Sequence, residues 1–214
     1  MSATTRGRFI TLEGGEGVGK STQIAALTDL LSRRGIDVVA TREPGGSPGG
    51  EAIRAFLLNA TERLTPRTEA LLFAAARAEH VARLIEPALA RGAWVLCDRY
   101  VDSTRAYQAA AGEGGERPSD AAILDVHRIG VGGLMPDLTL LLDMPEGVAD
   151  TRRAGRGTAD AFETRSEAFH AAVHQTFRRL SEQEPDRIVR IDASGEREAV
   201  TLRLAAAIDV RWPT

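Results

Sequence analysis

Phe9-Ile10-Thr11-Leu12-Glu13-Gly14-Gly15-Glu16-Gly17-Val18-Gly19-Lys20-Ser21-Thr22 decides the reading of this 214-residue chain. Its first residues form an apolar run of strand type, its middle is rich in glycine, and a helical period begins at Lys20. Gly14 to Ser21 fits G-x-x-x-x-G-K-[ST], and a strand before it with a helix after it is the context a phosphate-binding loop requires. The glycines let the backbone wrap around phosphates, while its N–H groups and the helix N-terminus supply positive potential. In such a loop Lys20 reaches the β- and γ-phosphates and the Ser21 hydroxyl ligates Mg²⁺.

Composition narrows the classes around that loop. Hydrophobic residues make up 43% and charged residues 27%, a globular balance. The net charge of −3 gives no bulk sign of a nucleic-acid-binding surface. Cys97 is the one cysteine, which excludes an internal disulfide and a four-cysteine zinc site. No apolar run reaches the roughly 18 residues of a membrane span, and the N-terminal residues lack a signal-peptide core, so a cytoplasmic protein is expected. Of the 27 basic residues a single one, Lys20, is lysine. A compact ammonium was kept there, where a planar guanidinium is not equivalent.

Strand and helix patterns alternate along the chain, which predicts an α/β domain with a mostly parallel sheet. Five strand cores are expected, at Arg8–Glu13, Asp37–Thr41, Trp94–Asp98, Asp137–Asp143 and Arg187–Asp192. Helices are expected at Lys20–Arg34, stopped by Gly35, and from Thr65-Pro66 toward Arg91, kinked or broken at Pro87. Others are expected at Asp102–Ala111, Ser119–Ile129, Pro145–Arg153, Arg165–Gln183 and Glu196–Val210. Pro44 to Gly50, Gly112 to Pro118 and Ala154 to Gly157 read as loops. No repeat or linker divides the chain, so residues 1–214 read as one domain.

Asp98 ends an apolar strand, where ligands of open α/β sheets bind, and a carboxylate there can hold Mg²⁺ directly or through water. Capping of the next helix is the alternative role. Arg99 follows and can clamp phosphate bidentately. No second lysine exists for the guanine-reading motif of common GTPases, or for ATPases with an additional signature lysine. One cysteine is too few for a zinc-bearing kinase lid. A small kinase remains.

The residues then resemble a known family, the thymidylate kinases. The resemblance is carried by Phe9 to Gly17 running into Lys20-Ser21-Thr22-Gln23, by Thr41-Arg42-Glu43-Pro44-Gly45-Gly46 and by Leu72-Phe73-Ala74-Ala75-Ala76-Arg77. Asp98-Arg99-Tyr100 with Ser103-Thr104-Arg105-Ala106-Tyr107-Gln108 continues it, as does Pro136-Asp137-Leu138-Thr139 with Leu142-Asp143. It spans about residues 8 to 195 in the family's order.

What the resemblance implies is a P-loop three-layer sandwich, with a five-stranded parallel sheet flanked by helices and a short lid at about 152–163. It implies a homodimer that transfers the ATP γ-phosphoryl group to dTMP, giving dTDP on the way to dTTP, with Mg²⁺. ATP would lie on Gly14 to Thr22 and on Arg152. On the dTMP side, Phe73 would stack on thymine and Arg77 would bond its carbonyl edge. Thr104, Tyr107 and Gln108, at i, i+3 and i+4, would contact the base and crowd the sugar 2′ position, beside Ser103 and Pro44. Arg42, Arg99 and Arg54 would bind the dTMP phosphate. Two phosphorylated substrates repel, so several arginines are a physical requirement. Without the family, Phe73 reads as core and Arg77 as a solvated charge. A kinase for another nucleoside monophosphate, and a nucleotide-dependent assembly or regulatory ATPase, are the competing readings.

Glu16 is an odd member of a phosphate loop, since a carboxylate repels phosphate unless it has a positive partner. The family places an acid here near the dTMP sugar hydroxyl and magnesium-bound water. Catalysis falls to Lys20, Arg99, Glu16 and a lid arginine in Arg152-Arg153-Ala154-Gly155-Arg156-Gly157. Many bacterial members carry an arginine where this chain has Ala161, so Arg156 is expected in that role, with Arg153 the alternative. His80, His127, His170 and His174 read as surface or helix-packing residues. No Ser-His-Asp arrangement is needed, because phosphoryl transfer requires no protein nucleophile.

Overall fold

The computed structural model describes residues 5–60, 62–110, 116–144, 162 and 164–213. The Pro145–Arg153 helix, the lid arginines and Ala161 lie outside them.

Five parallel strands form one sheet: β1 (Phe9–Glu13), β2 (Val38–Arg42), β3 (Trp94–Asp98), β4 (Leu138–Asp143) and β5 (Ile188–Asp192), in the order β2-β3-β1-β4-β5. Each starts one residue later than its sequence pattern suggested or at the same place, within ordinary boundary scatter. The inner strands β1, β3 and β4 are nearly continuous apolar runs because helices cover both faces, while the edge strands β2 and β5 are partly exposed. Side chains alternate across the sheet. Ile10, Leu12, Leu96, Leu138, Leu140 and Leu142 join α1 (Lys20–Arg33) and the C-terminal helix α8 (Arg197–Arg211) in one core. Phe9, Val95 and Cys97 turn the other way, into a second core with Ala70, Ile85, Leu89 and Ile123.

The register brings the working ends together. Leu12 and Arg42 are both paired with Asp98, so the mouths of β1, β2 and β3 lie at one level of the sheet.

α2 (Pro48–Asn59) corrects the expected loop, which ran through Gly50. Ser47 caps it by accepting from the Gly50 N–H at 3.1 Å, and Pro48 occupies the first turn. Tertiary packing against α3 (Pro66–His80) outweighs the poor helix propensity of Gly49 and Gly50. Beyond α3 the expected break at Pro87 appears as a π-helical turn, Val81–Ile85, followed by α4 (Glu86–Ala90). There the Glu86 N–H donates to the Val81 carbonyl, five residues back. α5 (Val101–Thr104) runs into a second π turn, Arg105–Ala110, so the expected helix at Asp102–Ala111 is wider than an α-helix over most of its length. α6 (Asp120–Val131) and α7 (Glu167–Gln183) complete the layers. The second π turn is anchored by a buried ion network. Asp102 accepts from Arg187 at 2.7 Å and from Arg105 at 3.1 Å, and Arg105 also reaches Asp120 and Glu184.

Candidate active site

The loop after β1 bends through positive φ at Gly14, Gly17 and Gly19. A Cβ at Gly14 would lie 2.6 Å from the Leu142 carbonyl oxygen, so both conformation and space demand glycine. Val18 turns its side chain into the core and pins the loop, leaving backbone to face a ligand. Lys20, 7% exposed, donates to the carbonyls of Gly14 (3.2 Å) and Gly15 (2.8 Å). Burial, reinforced by the charge of Arg99, lowers its ammonium to about 8. Phosphate oxygens in the loop would supply the opposite charge. The Ser21 hydroxyl donates to Asp98 Oδ2 at 2.7 Å, while Thr22 is exposed beside it.

Arg99 is the one non-glycine residue at positive φ (72°) among the described residues, a conformation that costs about 1–3 kcal/mol. Four contacts hold it there. Its Nη2 meets Glu16 Oε1 at 2.6 Å and the Tyr107 hydroxyl at 3.1 Å, and its Nη1 donates to Ser103 Oγ and to the Gly14 carbonyl. Its guanidinium also lies over the Tyr107 ring, 5.0 Å from the centroid. Glu16 thus has its positive partner within the described residues. Burial alone would raise its carboxyl, but Arg99, Lys20 and the Tyr107 hydroxyl bring it down to about 2. Beneath them Glu13, fully buried, accepts from the Tyr100 N–H at 2.7 Å and from Ser103 at 2.6 Å. Burial and the nearby Asp102 raise it to about 7.

A second cluster lines the other wall of the cleft. Arg77, 2% exposed, donates through Nε to Glu43 (2.8 Å) and through Nη2 to Thr104 (3.0 Å). Its guanidinium lies over the Tyr100 ring at 5.0 Å. Glu43 Oε1 also faces His80 Nδ1 at 3.1 Å, and His80 Nε2 meets Thr41. Gly46 has positive φ and passes so near His80 that a Cβ would overlap the ring, which explains the second glycine of Pro44-Gly45-Gly46. Arg42 pairs with Glu51 at 3.0 Å near the rim, and Arg54 donates to the Pro44 carbonyl at 2.9 Å. Phe73 packs against Phe162, ring centroids 5.8 Å apart.

The fold brings most of the described sequence-derived residues to one cleft, although Gly14, Gly15, Val18 and Thr22 do not line it. Glu16, Gly17, Gly19, Lys20, Ser21 and Asp98 line one end, and Arg42, Pro44, Arg54, Phe73, Arg77, Thr104 and Gln108 the other, with Arg99, Ser103 and Tyr107 between. Gly14 touches it through Lys20 and Arg99. Arg152, Arg153 and Arg156 fall outside the described residues. Sequence reasoning assigned no part to Glu13, Glu43, Leu58, Tyr100 or Phe162, and read His80 only as packing. Glu43 sits inside Thr41-Arg42-Glu43-Pro44 and Phe162 inside the lid motif, so both carried a local signal.

A phosphate cradle at one end of a cleft, with arginines and an apolar face at the other, is the layout of a P-loop phosphotransferase acting between two phosphorylated ligands. Comparison with known proteins narrows the class. The family model described as thymidylate kinase matches residues 12–203, and the chain belongs to that family. It is 58% identical over 205 residues to a thymidylate kinase of Rhizorhabdus wittichii, covering 94% of this chain and 97% of the relative. It is 51% identical to one of Caulobacter vibrioides, covering 95% and 97%. The crystal structure of thymidylate kinase from Ehrlichia chaffeensis superposes with a TM-score of 0.76 at 30% identity, covering 95% of this chain and 99% of that one.

Proposed function

We propose that the cleft binds ATP at the Lys20 end and dTMP at the Arg77 end, and that the chain transfers the γ-phosphoryl group between them, giving ADP and dTDP. Family membership and the facing of the two ends across one cleft support this reading. The Lys20–Ser21–Asp98 end shared with the Arg42–Arg54–Arg77 wall is the observation that carries it.

Lys20 and the loop N–H groups hold the β- and γ-phosphates. Arg99, Arg42 and Arg54 line the cleft and offset the repulsion between two anions. Phe73 and Phe162 give the base an apolar wall, and Tyr107, locked by Arg99 and Glu16, crowds the sugar. A lid arginine, Arg156 or else Arg153, supplies the further positive charge that the transferring phosphoryl group needs.

Ser21 and Asp98 fit a hard cation. Both offer oxygen, they are 2.7 Å apart, and no group of three or more His, Cys, Asp or Glu able to hold a metal occurs among the described residues. Mg²⁺ takes one or two protein oxygens, with phosphates and water completing its shell. When bound, Mg²⁺ neutralises charge on the transferring phosphoryl group.

We read residues 1–214 as one cytoplasmic domain that works as a homodimer. Nucleotide substrates support the location, and no described helix is long and apolar enough to cross a membrane. Phe56 on α2 and Leu71 on α3 are 54% and 58% exposed on helices that pack together, and Ile129 is exposed on α6 beside α3.

The test is transfer of label from [γ-³²P]ATP. Labelled dTDP formed in step with ADP supports the reading, and label appearing only as inorganic phosphate overturns it.

A further inference from the structure

Glu69, on α3, is buried, yet neither the phosphate end nor the Arg77–Glu43 pair uses it. Both of its oxygens are occupied. Oε2 accepts from Gln108 Nε2 at 3.0 Å, and Oε1 accepts from Arg165 Nη2. Arg165 is itself held over the Phe162 and Phe169 rings, 5.2 Å from each centroid. A carboxylate paired with a guanidinium only accepts, so Gln108 is forced to turn its NH₂ toward Glu69. The Gln108 side chain makes no other hydrogen bond among the described residues and lines the cleft, which leaves Oε1 as the acceptor it can offer there.

We propose that Glu69, backed by Arg165, is a positioning residue that fixes the amide polarity of Gln108. The cleft then presents an acceptor to a base carrying an N–H on its pairing edge. This rests on the reading of the cleft as the dTMP site. Arg77 supplies the complementary polarity, since a guanidinium only donates and its Nε and Nη2 are taken by Glu43 and Thr104. A donor beside an acceptor matches the carbonyl and N3–H of thymine and uracil. Cytosine presents the reverse, an amino group and a bare N3, and would leave both protein groups facing the wrong partner. Discrimination against cytosine is thus set two layers out from the base.

The test exchanges the polarity without changing size. In Glu69→Gln, Arg165 still demands an acceptor, so the introduced amide turns its oxygen to Arg165 and its NH₂ to Gln108. Gln108 must then flip and offer NH₂ to the cleft. The ratio of kcat/KM for dTMP over dCMP should fall about tenfold to a hundredfold, the scale of one misdirected buried hydrogen bond, while KM for ATP stays within twofold. The charge-neutral exchange Glu69→Gln with Gln108→Glu puts an acceptor back in the cleft and should restore the preference. A ratio unchanged by Glu69→Gln overturns the inference, as does an equal loss with both acceptors, which is what a merely structural role predicts. If Glu69→Gln does not fold, the exchange variant decides. Preference for dTMP upholds the inference, and loss of preference overturns it. A wild-type protein that phosphorylates neither nucleotide overturns the proposed function itself, and this inference with it.

Discussion

Replacing Arg77 with alanine perturbs both stability and recognition, and the structure sets the size of each effect. Arg77 and Glu43 meet at 2.8 Å with side chains 3% and 4% exposed. Removing the guanidinium strands a buried carboxylate, a change that costs about 3–5 kcal/mol. His80 Nδ1, 3.1 Å from the other carboxylate oxygen, offers partial relief and places the loss at the low end, about 3 kcal/mol. For a chain of this length that corresponds to a fall in Tm of about 6–12 °C. Glu43→Gln in the same background removes the stranded charge and should recover half of the loss or more. Urea unfolding of wild type, Arg77→Ala and the double variant measures all three. The same proteins should show KM for dTMP raised far more than KM for ATP, because Arg77 lines the acceptor end. A loss under about 1 kcal/mol with no recovery on Glu43→Gln would refute the pairing argument. Equal changes in the two KM values would refute the assignment of Arg77 to the base.

Further outcomes follow from the charged groups. Lys20 is lowered from 10.5 to about 8, so its proton is already largely lost above that pH. ATP affinity, which needs the ammonium, should weaken by up to roughly tenfold per pH unit above about pH 8, and affinity that is flat to pH 10 would contradict this. Folded Lys20 binds its proton less tightly than the unfolded chain does, so its contribution to stability rises between about pH 8 and 10.5. Glu16 has the same sense in a lower window. Its carboxyl is lowered to about 2, so its contribution of about 3 kcal/mol is present above pH 4.5 and lost as pH falls from 4.5 to about 2. Glu16→Gln should flatten that part of the acid-unfolding curve. Asp98→Asn should raise the Mg²⁺ concentration for half-maximal activity about tenfold or more while dTMP binding in the absence of metal holds. Arg156→Ala should depress kcat, on the scale of about 10³-fold for a transition-state arginine, with a modest change in dTMP affinity, and an unchanged kcat moves that role to Arg153.

The inner strands were legible because burial on both faces forces nearly continuous apolar runs, and Leu138 to Leu142 could hardly be anything else. The phosphate loop was legible because backbone wrapping demands glycine at fixed offsets. α2 was not read, although Ser47-Pro48 repeats the cap-and-proline signature of Thr65-Pro66, because Gly49 and Gly50 suggested a loop. The two π turns follow no sequence period. The residues that orient the site were hidden for another reason. Glu43 and Arg77 lie 34 residues apart, and Glu69 and Gln108 lie 39 apart. Periodicity reports which residues share one helix face and says nothing of what two elements bring together. Arg77, read alone, looked like a solvated charge, whereas the β2 loop surrounds it with a carboxylate.

The most direct test of the account is ADP release from Mg-ATP with dTMP, dUMP, dCMP, dAMP, dGMP or no acceptor in parallel. Strong turnover with dTMP, weaker turnover with dUMP and little with the others is the expected result. Preference for a different acceptor, or ADP release that no acceptor stimulates, would contradict it.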